Sequence, residues 1–320
     1  MMPKWTKSPG KPVKFAFLIF DQFSNLCLAN CLEPLRAANT LTQVRAFDWE
    51  IYTLDGAPVQ SSSGLQVLPH APLSELNTCN YLFIIASYAH ENLDTKQIRR
   101  ELRRGARLAG ITVGLDTGPW LMASAGLLDG RRATVHWDVL DAFSGQFRAV
   151  EAVEARVVTD GPRVTCAGAM SALDLTLGLI SAHLGMSARL GVEGLFIHGD
   201  PPVGVPGNAR AVGGPLVQRA LNVMRENLEN PLKLITLAQK LSCQPRTLDR
   251  HFRRDLGAPP GEVYRHLRLS MARKLLEGTA LNMVEIALRC GYESPAALSR
   301  AFARLYGVPP KRLRHQNEAN

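Results

Sequence analysis

Arg246-Thr247-Leu248-Asp249-Arg250-His251-Phe252-Arg253-Arg254-Asp255-Leu256-Gly257-Ala258-Pro259-Pro260 is a passage that this chain writes twice. Leu248, Arg250, Phe252, Gly257, Pro259 and Pro260 return as Leu298, Arg300, Phe302, Gly307, Pro309 and Pro310, each 50 positions on. Upstream, Leu237-Ala238 returns as Ile286-Ala287, 49 positions on, and the extra residue falls in the turn Cys290-Gly291-Tyr292-Glu293-Ser294. Each copy reads as a helix, a tight turn and a second helix. That is the pattern of a helix-turn-helix unit, whose second helix can lie in a DNA major groove. Two copies in one chain imply an asymmetric DNA site gripped by both units at once.

In the first unit the spacing predicts a positioning helix over 234–241 and a recognition helix over 244–255. Leu248 and Phe252, four apart, face inward. Arg246 and Arg250 share another face, as two side chains entering one groove must, and arginine pairs bidentately with guanine edges. Phosphate contact or plain solvation is the alternative for both. Arg253 and Arg254 suit phosphates. Asp249 would repel phosphates, so it accepts from a cytosine amino group or orients Arg246 or Arg253. Thr247 completes the expected DNA-facing set. In the second unit, 283–290 precedes the turn and 294–305 is the recognition helix, with Ser294 as N-cap and Pro295 at the first helical position. Pro295, Ala296, Ala297, Ser299 and Arg300 are its exposed candidates. Small residues read thymine methyls or shape, so this unit discriminates less sharply. A single helix over 259–276 connects the two, spanning about 27 Å, against about 34 Å between successive major grooves on one DNA face.

Charge follows the repeat. Residues 209–320 hold 19 Lys and Arg against 9 Asp and Glu, a net of +10, while residues 1–208 sum to −1. A basic domain attached to a neutral one is the footprint of a nucleic-acid reader with a separate second function. The 320 residues suffice for two domains. A Pro- and Gly-rich stretch over 198–211 is the expected linker, dividing a first domain over 13–197 from a second over 212–316. Residues 1–12 contain lysines but no apolar stretch, unlike a secretory signal. The apolar runs are far too short for a membrane span. The 6 scattered cysteines suggest reduced, buried thiols in a cytoplasmic protein. Cys27 and Cys31 share a helix face, but further metal ligands are lacking nearby, so no metal and no cofactor are expected.

In the first domain, the runs 14–20, 81–86 and 111–115 are short, continuous and rich in β-formers, as strands buried on both faces are. Helices are predicted over 26–38, 95–108, 118–125, 139–147 and 172–184. The alternation gives an open, mostly parallel α/β sheet with flanking helices, followed by the all-α pair of helix-turn-helix units. Ligands in such sheets bind beyond the carboxyl ends of the strands, which directs attention to 21–25, 87–90, 116–120 and 136–137. Asp116-Thr117-Gly118-Pro119-Trp120 turns abruptly from strand to helix, where a nucleophile elbow presents its reactive side chain. Asp116 has no ready nucleophilic role; it is an N-cap for the helix, a carboxylate that meets a cation, or both. Thr117 lacks a recognisable base. His136, Trp137, Trp120 and Tyr88 are either core residues or an aromatic wall that, with Asp116, suits a quaternary ammonium or guanidinium group.

Residues 124–137, Ser124-Ala125-Gly126-Leu127-Leu128-Asp129-Gly130-Arg131-Arg132-Ala133-Thr134-Val135-His136-Trp137, together with Glu33-Pro34-Leu35-Arg36-Ala37-Ala38-Asn39, resemble PfpI-type, class I glutamine-amidotransferase-like domains from about 13 to 183. Enzymes of that superfamily carry a cysteine where this chain has Asp116. Isocyanide-hydratase-like members carry an acidic residue at the position of Cys27. Both departures remove thiolate chemistry, so the resemblance implies a pocket kept for binding, with Cys27 among its residues. Leu237-Ala238, Arg246 to Phe252, Arg273-Lys274-Leu275-Leu276, Ile286-Ala287, Cys290 to Ser294, Leu298 to Phe302 and Gly307-Val308-Pro309-Pro310 resemble the AraC/XylS family of transcription regulators. That resemblance places Arg246, Asp249, Arg250, Pro295, Ala296, Ser299 and Arg300 on DNA. The joint architecture is similar to AraC-type regulators with amidotransferase-like sensors, a group that includes regulators of carnitine, glycine betaine and arginine catabolism. It implies a homodimer that binds double-stranded promoter DNA and a small-molecule effector, engages RNA polymerase, and has no business with membranes. The competing expectations are an amidase- or hydratase-like enzyme fused to a DNA module, and constitutive DNA binding with a purely dimerising first domain.

Overall fold

A computed structural model describes residues 4–7, 10–196 and 213–312. The expected linker, 198–211, and residues 313–316 lie outside the described residues. The chain forms two compact units, Pro9–Leu179, and Met1–Ser8 together with Ile180–Asn320.

The first unit is built on a seven-stranded sheet. Its strands are β1 (Val13–Ile19), β2 (Phe47–Thr53), β3 (Ala71–Pro72), β4 (Cys79–Ala86), β5 (Ala109–Asp116), β6 (Val157–Asp160) and β7 (Arg163–Cys166). Their order is β6-β7-β5-β4-β1-β2-β3. Every neighbouring pair is parallel except the β6–β7 hairpin. Helices α1 (Asn25–Thr42), α2 (Lys96–Leu108), α3 (Gly118–Ser124), α4 (Leu140–Gln146) and α5 (Ala169–Leu184) follow the strands. The three apolar runs are the buried centre of the sheet. The strands that lacked an apolar run lie outside it: β2 mixes polar with apolar residues, and β3, β6 and β7 are four residues or fewer. One core gathers Ala16, Leu18, Leu82 and Ile84 of the sheet with Ile98 and Leu102 of α2, Leu121 of α3 and Phe143 of α4. The alternate residues of the same strands turn the other way, as the pleat requires. There Phe15 stacks on Tyr81 at 4.9 Å between ring centres, and Phe17 meets Phe83 at 5.0 Å.

The second unit contains α6 (Met186–Phe196), α7 (Pro215–Glu226), α8 (Leu234–Lys240), α9 (Pro245–Leu256), α10 (Pro260–Gly278), α11 (Met283–Arg289) and α12 (Pro295–Tyr306). One core joins Leu248, Phe252 and Leu256 of α9 to α7, α8 and the start of α10. It also takes in Met186 and Leu190 of α6, with Trp5 packed against it. So α6, which falls in the 13–197 stretch read as one domain, shares a core with the helix-turn-helix helices. A smaller core holds Leu269, Ala272 and Leu276 of α10 with Ile286, Leu298 and Phe302. Both recognition helices end on the repeated glycine, Gly257 and Gly307, each at φ +74°. That left-handed cap is what only glycine adopts without strain, which explains why the repeat keeps it. Among the described residues no helix is long and apolar enough to cross a membrane, and all 6 cysteines are unpaired.

Candidate ligand pocket and nucleic-acid interface

The carboxyl ends of β1, β4 and β5 bring four chain segments together. β5 delivers Asp116 opposite Ala86 of β4, at φ +59°. Few residues with a side chain accept that conformation, Asp among the more tolerant. Two residues on, a side chain at Gly118 would lie 2.2 Å from the carbonyl oxygen of Ile84, so only glycine lets α3 start this close to β4. The N-cap of α3 is Thr117 and no side chain caps the helix, which corrects the reading of Asp116 as a cap. Thr117 Oγ1 donates instead to the Ser87 carbonyl at 2.8 Å.

Asp116 is freed for other contacts and is buried. The Cys27 thiol, on the first turn of α1, donates to Asp116 Oδ2 at 4.0 Å. Burial pushes the Asp116 carboxyl above its ordinary value. His136, the Ser87 side chain, His90 and the Thr117 N–H oppose that shift by favouring the charged form. Burial, and then the Asp116 charge, push Cys27 up to about 12. Burial pushes Cys166 to about 12 as well. These thiols stay protonated and are poor nucleophiles. Among the described residues no group of three His, Cys, Asp or Glu is arranged to hold a metal ion.

The aromatic candidates divide. Trp120 belongs to the core, 4.8 Å from the His90 ring and 5.2 Å from Phe147, and is 7% exposed. Trp137 and Tyr88 are 73% and 68% exposed. Of Asp116, Trp120, Tyr88 and Trp137, only Asp116 lies on a strand, at its end. Trp120 lies on α3, Tyr88 follows β4, and Trp137 opens a 3-10 turn capped by His136. His136 N–H donates to the Asp116 carbonyl at 3.0 Å, and its ring stands 5.5 Å from that of Trp137. Ser87 and His90 were missed as site residues. They sit in a flagged loop, but nothing in periodicity shows which loop side chains turn inward; the left-handed Ala89 at φ +55° between them makes the reversal.

In the second unit, Arg246 and Arg250 project from α9 into solvent. Thr247 is half-buried beside them. Asp249 Oδ2 accepts from Arg253 Nε at 2.8 Å, so it orients Arg253 rather than Arg246. Arg254 pairs with Asp255 at 2.6 Å. On α12, Ala296 and Arg300 are exposed, Pro295 and Ser299 half-buried, and Ser294 Oγ accepts from Ala297 N–H at 3.2 Å. Arg268 of α10 donates to the carbonyl of Cys290 at 2.7 Å. It also lies 4.3 Å over the Tyr292 ring. That grip ties the connecting helix to the turn of the second helix-turn-helix unit.

Residues 13–182 match the DJ-1/PfpI family, and residues 237–316 match a helix-turn-helix domain family. The chain is 33% identical over 307 residues to the HTH-type transcriptional regulator CdhR of Pseudomonas aeruginosa, covering 94% of this chain and 91% of that one. It is 33% identical over 311 residues to the HTH-type transcriptional regulator GlxA of Rhizobium meliloti, covering 95% and 96%. Among solved structures, a THiJ/PfpI family protein from Pseudomonas syringae has a TM-score of 0.53 at 22% identity, over 70% of this chain and 89% of that one. An AraC family transcriptional regulator from Pseudomonas putida has a TM-score of 0.51 at 24% identity, over 58% and 100%; these two likenesses show the fold. With a parallel α/β domain, a doubled helix-turn-helix and named regulators matching 94% and 95% of its length, the chain belongs to the AraC-type DNA-binding transcriptional regulators that carry a DJ-1/PfpI domain.

Proposed function

We propose that this regulator is an activator switched by a small cationic metabolite, held without chemical conversion by its DJ-1/PfpI domain as a sensor. The observation that carries the reading is the replacement of a nucleophile by Asp116, a buried carboxylate at the elbow, attended by His136, Ser87 and His90. A carboxylate at that place attracts a quaternary ammonium or guanidinium group. Exposed Trp137 and Tyr88, neighbours in sequence of His136 and Ser87, supply ring faces for cation–π attraction. The protonated Cys27 thiol supports binding over turnover. In the second domain, over 212–316, Arg246, Thr247, Asp249, Arg250 and Arg253 of the first unit read or grip the duplex. Ser294, Pro295, Ala296, Ser299 and Arg300 do so in the second. The working form is a cytoplasmic homodimer that presents this domain to promoter DNA and RNA polymerase.

Calorimetric titration of the full chain with betaine, carnitine and arginine tests the sensor. At least one should bind, and Asp116→Asn should abolish the heat while the protein still binds DNA. Absence of binding by every cation sinks the reading. So does hydrolytic turnover of an amide that Asp116→Asn removes, which would make the domain an enzyme.

A further inference from the structure

The first unit carries a feature that neither ligand sensing nor its fold requires. Between residues 96 and 107, α2 holds Lys96, Arg99, Arg100, Arg103, Arg104 and Arg107 against Glu101 alone. Residues 1–208 sum to −1, so outside this helix they sum to −6. One helix thus carries a net +5 in a region that is otherwise net acidic. Lys96, Arg100, Arg103 and Arg107 are all exposed. Their spacing of four, three and four residues aligns them on one face, along about 16 Å of helix.

Local physics opposes this arrangement. The first turn of α2 has no acidic residue, and Lys96, Arg99 and Arg100 crowd the helix end whose dipole repels cations. Like charges three and four apart repel one another as well. Carboxylates answer only part of it: Asp94 binds Arg99 at 2.6 Å, and Glu101 is shared by Arg100 at 3.2 Å and Arg104 at 3.0 Å. Lys96, Arg103 and Arg107 have no carboxylate partner among the described residues. An open cleft of about 570 Å³ runs along this face, lined by Lys96, Gln97, Arg99, Arg100, Arg103 and Ser124. A helix that breaks its own local rules marks a functional surface.

We propose that the cationic face of α2 is a second, sequence-independent contact to the phosphate backbone of duplex DNA, made by the N-terminal domain. The linear array favours a polyanion over a single small anion, because the charges are spread along the helix rather than converging on a point. The family's DNA-binding activity supplies the polyanion.

The test measures binding of the full chain to a mixed-sequence duplex by fluorescence anisotropy across a salt series. Each phosphate contact steepens the slope of log K against log salt by about 0.9. The triple variant Lys96→Ala, Arg100→Ala, Arg103→Ala should flatten the slope by about 2 to 3. Its melting temperature should not fall, since alanine favours helix and the repulsion is relieved. The variant Arg100→Lys, Arg103→Lys keeps the charge and should keep the slope. An unchanged slope in the triple variant overturns the proposal, as does a lysine variant that loses it. If inorganic phosphate stabilises the wild type but not the triple variant, and the slopes are equal, the cleft is a small-anion site and the proposal fails.

Discussion

The two helix-turn-helix units reach one backbone by different means. Leu248 and Phe252 in the first, and Leu298 and Phe302 in the second, are all fully buried. Around them the support differs. Neither α8 nor α9 has a side-chain N-cap: Lys233 and Gln244 occupy those places, and neither side chain bonds to the helix. The first unit rests on a wide core that reaches into α7, α6 and Trp5. The second has a smaller core but is capped locally. Asn282 and Glu285 form a reciprocal capping box on α11, and Ser294 caps α12. Outer faces differ more: α9 shows six charged residues where α12 shows two arginines among alanines and serine. Inward positions repeat because a packed core admits few shapes. Outward positions are free to follow the DNA, and caps substitute for packing where packing is thin.

The sharpest challenge to this comparison is truncation of the shared ring. Phe252→Ala and Phe302→Ala should each destabilise by about 3–5 kcal/mol, as buried aromatics do. Denaturant melts of the full chain check this. A loss below about 1 kcal/mol at Phe302 would mean that caps alone sustain the second unit.

Acid should separate the units next. His266 of α10 is buried with its ring 5.3 Å from Trp5, and burial lowers its pKa to about 4. The unfolded chain takes the proton near 6.5, so His266 contributes stability that is intact above pH 6.5 and lost as pH falls towards 4. The loss is about 3 kcal/mol. Residues 268–312, which hold the second helix-turn-helix, contain no histidine. Hydrogen exchange at pH 5 should therefore show α9 opening before α12, and His266→Gln should remove the difference.

Specificity comes third. Arg250→Ala should cost about 1–3 kcal/mol and relax preference at one base pair. Arg300→Ala should weaken all sequences alike and flatten the salt slope by about 1. Binding measurements on a panel of single-base variants distinguish the two; equal, uniform losses would make both arginines phosphate contacts. The smallest effect is local. Ser294→Ala should cost about 1 kcal/mol, and Gln244→Ser should return a similar amount by giving α9 the cap it lacks. Melting temperatures read both.

Much of this was legible in the one-dimensional chain. The doubled passage, the central strands β1, β4 and β5, the abrupt turn at Asp116-Thr117-Gly118 and the recognition helices all announce themselves, because each depends on near neighbours. Periodicity is set by helical or pleated geometry within a few residues, and caps and turns within four. The outer strands β2, β3, β6 and β7 were silent, since polar alternation or shortness erases their signal. Trp120 gave no sign that it would join Phe143 and Phe147 rather than a ligand wall, nor did His90 that it would face Asp116.

Local order, then, lay in the amino-acid sequence: which segments coil, which extend, where the chain bends, and that two similar grippers stand in tandem. Tertiary packing alone settled which side chains meet. Cys27, Ser87, Asp116 and His136 come from four segments spread over more than 100 residues. Their convergence is a property of strand order and close packing, which no short window of sequence contains. The same holds for α6 and Trp5, claimed by the core of the second unit because buried apolar surface is shared by whatever the chain brings near, whichever domain its position suggests.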